Sequence, residues 1–185
     1  MNTLMTCHRV AQPLSRFGCR RAGSAGGSAT ADRPDVIARP PRIAYLLLAI
    51  GALLEWFRPL SLLPPGWPAA LRYGLGSLLV VLGLAVVTVA LRAFRRAGTN
   101  VETPKPTIAL VTNGVYAWSR NPMYVALALL FAGIAVLANS GWLAALWVVY
   151  VGVLRVGVIA AEERYLEGKF GDQYRAYRAR VRRWL

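Results

Sequence analysis

Histidine and cysteine are nearly missing from this 185-residue chain, and acidic residues are few. The single histidine, His8, and both cysteines, Cys7 and Cys19, lie within the first 20 residues. A His-based catalytic dyad, a zinc site and a disulfide framework are thereby excluded from the remainder, and no metal site is expected. No Gly-x-Gly-x-x-Gly follows a strand-like run, so the Rossmann dinucleotide fingerprint is absent as well. The most telling absence is of charge over long stretches. No Asp, Glu, Lys or Arg occurs in the 34 residues from Asn121 to Leu154, or in the 19 from Tyr73 to Leu91. Runs of that length are transmembrane helices, which need about 20 mostly apolar residues to cross about 30 Å of hydrocarbon. With 56% hydrophobic and 16% charged residues, neither a disordered chain nor an ordinary soluble domain fits.

What is abundant is arginine, 20 of the 22 basic residues in a chain of net charge +14. Most of these flank the apolar runs or fall within the first 42 residues, where anionic lipid head groups and membrane orientation account for them. No groove-reading motif is present, so no nucleic-acid partner is expected.

The pattern predicts an all-α polytopic membrane protein of four spans plus an amphipathic interfacial helix. Residues 1–42 read as a disordered Arg-rich extension, and 43–185 as the membrane domain. Spans are expected at 43–63, 73–91, 122–137 and 142–161. The last two are divided at Ala138-Asn139-Ser140-Gly141, because 34 helical residues would be about 51 Å long. Glu55 and Arg58 are three apart and placed to pair on one helix face. In 162–185, Leu166, Phe170, Tyr174, Tyr177, Val181 and Trp184 recur as one apolar face flanked by arginines, with a break at Gly171 and Asp172 as the cap of the second half. Basic segments fall on one side of a four-span topology, which puts both termini in the cytoplasm, with the plasma (inner) membrane as the location. Gly74, Gly83 and Gly152 are small enough to seat a homodimer.

Three features exceed what spanning requires. The 98–121 connection is long and moderately apolar, as functional loops are. Arg120-Asn121-Pro122-Met123-Tyr124 opens the third span with Pro122 at the first helical position, so the positive end of the helix faces the cytoplasmic loop. Glu162 and Glu163, adjacent at the foot of the fourth span beside a negative leaflet, require nearby cations. Arg155, Arg120 and Arg164 are candidates, a cationic ligand is another, and seven-residue spacing puts Arg155 and Glu162 on one face.

The stretch Leu110-Val-Thr-Asn-Gly-Val-Tyr-Ala-Trp-Ser-Arg-Asn-Pro-Met-Tyr124 resembles a signature of the isoprenylcysteine carboxyl methyltransferase family. Glu162-Glu163-x-x-Leu166-x-x-x-Phe170-Gly171-x-x-Tyr174-x-x-Tyr177 is similar to its second signature. The superfamily also contains phospholipid N-methyltransferases. The resemblance implies an integral membrane methyltransferase that uses S-adenosyl-L-methionine without a Rossmann domain. It implies cofactor contacts at Leu110, Val111, Tyr116, Asn121, Pro122, Met123, Tyr124 and Glu162, with Asn121 standing where eukaryotic members carry His. Arg120 and Glu163 are the catalytic candidates. The family's substrate arginine aligns near Val158, and Arg155, the one arginine on that helix, is the candidate for its role.

The implied reaction is methyl transfer to a lipidic or lipid-anchored acceptor from the bilayer, most simply O-methylation of a carboxylate, which needs no general base. Alternatives are N-methylation of a phospholipid amine, an NADPH-dependent sterol-reductase-like enzyme, and a non-enzymatic membrane protein.

Overall fold

The computed structural model describes residues 39–96 and 110–184. The 1–38 part of the N-terminal extension and the 97–109 part of the long connection, both assigned from sequence above, lie outside the described residues. Among the described residues the chain is helical and without named strands. Four of its helices are apolar, α1 (Pro40–Phe57), α2 (Ala69–Arg96), α3 (Pro122–Ala138) and α4 (Gly141–Val153), and a short turn joins α3 to α4. A π-helical turn, Leu154–Ile159, runs α4 directly into α5 (Ala160–Phe170), and α6 (Asp172–Arg180) follows a break. The order in space is α2, α3, α4, α1, each packed on the next.

Small residues set this packing. Within lipid there is little hydrophobic drive between helices, so backbones must approach closely for dispersion to hold them. The buried positions of α2 are Gly76, Gly83 and Ala90, seven residues apart and therefore on one stripe. A Cβ on Gly76 would lie 2.6 Å from Leu137 Cγ, and one on Gly83 would lie 2.8 Å from Leu130 Cγ. From the other side, a Cβ on Gly133 would meet Val80 Cγ2 at 2.7 Å. Gly83 is thus taken up by α3, whereas Gly74 and Gly152 face open space. Outward faces carry Leu75, Leu78, Val81 and Val148 exposed, as a lipid-facing surface should. The chain is an integral membrane protein.

Several expected boundaries move. The first helix begins at Pro40, inside the stretch assigned to the extension, and ends at Phe57 rather than Leu63. Arg58 precedes Pro59, and the proline ring pushes it out of the α region, to φ −143° and ψ 82°. Residues 60–63 then dock on the α3–α4 turn: Leu62 N–H donates to Asn139 C=O (3.0 Å), Leu63 N–H to Asn139 Oδ1 (2.9 Å) and Gly141 N–H to Leu60 C=O (2.6 Å). The expected Glu55–Arg58 pair does not form. Glu55 instead accepts from Leu60 N–H at 3.1 Å and from the Ser140 hydroxyl. The turn falls where the sequence placed it, with Asn139 left-handed (φ 53°) and Ser140 accepting from Leu143 N–H as the N-cap of α4.

The second helix extends to 28 residues, about 42 Å, so Arg95 and Arg96 lie beyond a bilayer core at one end. The interfacial helix is not separate from the fourth span, because Gly141–Phe170 is one continuous 30-residue helix. The break at Gly171 is present, with φ 50°, but Asp172 makes no side-chain cap to α6. Its carboxylate is drawn to Arg175 at 2.6 Å.

Candidate functional site

One end of the bundle gathers most of the residues singled out from sequence. Phe94, near the end of α2, meets the Tyr116 ring edge-on at 5.3 Å and fixes the 3-10 turn Gly114–Ala117 beside α2. Tyr116 and Tyr124 are buried, Leu110, Val111 and Met123 half-buried, and Pro122 starts α3 as expected. Asn121 is the N-cap residue of α3, with its carbonyl accepting from Tyr124 and Val125 N–H. Its side chain does not cap. Nδ2 donates instead to Arg183 C=O at 3.0 Å.

The two adjacent glutamates have opposite environments. Glu163 is buried and receives two guanidinium groups. Arg183 forks onto it, Nε to Oε1 at 3.1 Å and Nη2 to Oε2 at 2.5 Å. Arg120 Nη1 adds a contact to Oε1 at 3.0 Å, and the Arg120 side chain is only 9% exposed. Glu162, half-buried, accepts a 2.5 Å hydrogen bond from the Tyr124 hydroxyl and has no cation partner among the described residues. Charge-assisted contacts to a carboxylate are roughly twice as strong as neutral ones, so Glu163 is saturated while Glu162 keeps acceptor capacity.

Arg120 is itself incompletely used. Its Nη1 also approaches the Tyr174 hydroxyl at 3.5 Å, but its Nε is buried without a hydrogen-bond partner. An unpaired buried donor costs about 1–3 kcal/mol, so the Arg120 guanidinium is held there at a cost. The surrounding phenols are neutral donors at ordinary pH. Burial first, then Tyr177 and Glu162, raises Tyr116 well above the usual phenol range. Tyr177 is pushed up to about 12 by burial and by Tyr174, and its hydroxyl donates to Tyr116 C=O at 2.6 Å. Burial and the Glu163 carboxylate raise Tyr174 against the lowering effect of Arg120.

Arg155 does not join this cluster. It is exposed, and the expected shared face with Glu162 is interrupted by the π turn. That turn widens the helix, so that Leu154, Val158 and Ile159 are all buried while Arg155 and Val156 point outward. Val158, near which the resemblance puts the family's substrate arginine, is buried in the core. Arg164 is exposed too, so of the three cations expected near the glutamates only Arg120 arrives.

Sequence reasoning missed Arg183. The signal available was the need of two adjacent carboxylates for cations, which predicted a partner but not its identity. It also missed Ser119, buried under the same turn and accepting from Asn121 N–H at 3.1 Å.

Comparison with known proteins follows the same region. An uncharacterized protein of Haemophilus influenzae is 48% identical over 65 residues, which is 34% of this chain and all of that protein. No solved structure matches the chain. A family model described as phospholipid methyltransferase matches residues 71–173, from the first turn of α2 through the glutamate pair to the first turn of α6. That is more than half of the sequence, and the chain belongs to the phospholipid methyltransferase family of membrane methyltransferases.

Proposed function

We propose that this protein transfers a methyl group from S-adenosylmethionine to a lipidic or lipid-anchored acceptor at the cytoplasmic face of the plasma membrane. The observation that carries the reading is the inequality of the glutamate pair: Glu163 holds two arginines, and Glu162, one residue away, holds a tyrosine and no cation. A half-buried carboxylate so arranged fits a hydroxyl-bearing or cationic ligand.

The donors and acceptors present fit the cofactor's groups. Glu162 and Tyr124 would hold ribose hydroxyls or the amine, Arg120 or the Pro122 helix N-terminus would take the carboxylate, and Tyr116 with Leu110 and Val111 would supply apolar wall. When bound, S-adenosylmethionine supplies an electrophilic methyl on a positively charged sulfur. The helices exclude water from around the acceptor, and for a carboxylate acceptor two opposite charges are neutralised as the ester forms, which a dry site favours. No general base is required, in keeping with a described region that lacks histidine. Holding both reactants in line supplies up to about 7–11 kcal/mol. The amine of a phospholipid is the second acceptor reading, favoured by the description of the matching family.

Calorimetry of S-adenosylhomocysteine on the detergent-purified protein tests the reading, with NADPH as control. Saturable binding is expected, and Glu162→Gln should weaken it about 10- to 100-fold, the worth of a hydrogen bond to a charged group. Equal binding by Glu162→Gln removes the site assignment. NADPH binding in place of S-adenosylhomocysteine removes the methyltransferase reading. Alkali then separates the acceptors, since transferred radiolabelled methyl is released from an ester and retained on an amine.

A further inference from the structure

Five arginines follow Gly171, and four of them do what arginines at a membrane surface ordinarily do. Arg175 pairs with Asp172 in solvent, Arg178 with Glu167, Arg180 reaches Ala176 C=O, and Arg182 is exposed. Arg183 alone turns inward, to the buried Glu163. We propose that Arg183 is the positioning residue of the site: its fork on Glu163 holds the segment Val181–Trp184 across the Ser119–Asn121 turn and so fixes where Arg120 and Asn121 stand. The functional consequence rests on the methyltransferase reading above.

The backbone of that segment does the holding. Arg182 C=O accepts from Arg120 N–H at 3.0 Å, and Arg183 C=O accepts from Asn121 Nδ2 at 3.0 Å. Ser119 Oγ reaches the same carbonyl at 3.5 Å. Both ends of the Arg120-Asn121 dipeptide are therefore tied to carbonyls whose place depends on the Arg183 side chain. Trp184, next after Arg183, packs against the core.

The geometry at Glu163 explains why a fork is needed. Arg120 Nη1 and Arg183 Nε share Oε1, and Arg183 Nη2 alone serves Oε2. A buried carboxylate stripped of Arg183 would leave Oε2 bare, and the remaining cation nearby is Arg120. Arg120 would then swing to cover both oxygens, taking its guanidinium, with the buried and unpaired Nε, out of its present position. A lysine at 183 restores the charge but, being a point charge on a flexible stem, not the two-point grip.

The test compares full-length wild type with Arg183→Ala, Arg183→Lys and, as a surface comparator, Arg180→Ala. Three quantities are measured at a temperature where each is folded: S-adenosylhomocysteine affinity, the kcat and KM for S-adenosylmethionine, and amide exchange at Arg120. For Arg183→Ala the affinity should fall at least tenfold, with KM rising by a similar factor and kcat changing less than threefold. Arg120 N–H should exchange at least tenfold faster. Arg183→Lys should recover part of each, and Arg180→Ala should stay within twofold of wild type. If Arg183→Ala does not fold, Arg183→Lys decides: wild-type affinity and exchange there overturn the proposal. So does a folded Arg183→Ala with unchanged affinity, or an Arg180→Ala that loses as much. Should wild type bind no S-adenosylhomocysteine, the methyltransferase reading fails by itself, and Arg120 exchange still tells whether Arg183 holds the turn.

Discussion

The two ends of the bundle each contain a tethered carboxylate, and they are tethered in different ways. At the end bearing the α3–α4 turn, Glu55 is served by a hydroxyl and a backbone N–H, and the neighbouring Asn139, Ser140 and Gly141 bond only to the 60–63 segment and to helix ends. A shallow cleft there is lined by Ala52, Glu55, Trp56, Ala138, Ser140 and Leu143. Its carboxylate and its hydroxyl, those of Glu55 and Ser140, are bonded to each other. At the other end, two guanidinium groups are concentrated on one glutamate, while the next glutamate holds no cation and an arginine Nε is buried without a partner. A closed network of neutral donors is structural, and a network with charged groups left over is where chemistry can be done.

The largest effect that would break this contrast is at Glu163. Glu163→Ala leaves Arg120 buried and facing Arg183 with no counter-charge, and should cost about 3–5 kcal/mol in denaturant unfolding, the usual penalty for stripping one partner from a buried pair. A loss under about 1 kcal/mol would mean that the near end is no more charge-dependent than the far one. Ser140→Ala comes next. It removes the N-cap of α4 and the hydroxyl on Glu55, about 1–2 kcal/mol, while S-adenosylhomocysteine affinity stays unchanged. Lost affinity in that variant would join the two ends into one functional unit.

The smallest effect, nil at neutral pH, comes from the phenols. Tyr177 is raised to about 12 from an ordinary value of 10, so its contribution is complete below pH 10 and is lost as pH climbs toward 12, where the unfolded chain ionises first. Amide exchange should therefore loosen around Tyr116 and Tyr177 in that window before it loosens around Asn139. Tyr177→Phe should narrow the gap.

Much of this was legible from residues alone. Uncharged length specified the four helices, Asn139 supplied a left-handed turn, and Pro122 opened α3 because a helix start tolerates its missing N–H. Residues 60–63 misled because three of the four are leucine, whereas Pro59 stops the helix and their hydrogen bonds go to the distant turn. The site was legible as a need: adjacent glutamates beside a membrane require cations. Which arginine answers was not legible, since Arg183 stands among five and its partner lies 20 residues back along the chain. The π turn left no mark either, for Leu154–Ile159 is, Arg155 apart, as aliphatic as the end of the α-helix before it.

That turn has a consequence for how relatives of this chain are compared. A π turn is an α-helix carrying one additional residue, so it acts as a phase slip in an otherwise regular count. Positions before it and after it cannot both be matched to a relative that lacks it by spacing from a single landmark. Within the slip itself Val158 lies in the core, and Arg155, three residues earlier, lies at the surface. Equivalence across this helix must be judged by azimuth on each side of the slip, not by separation in sequence.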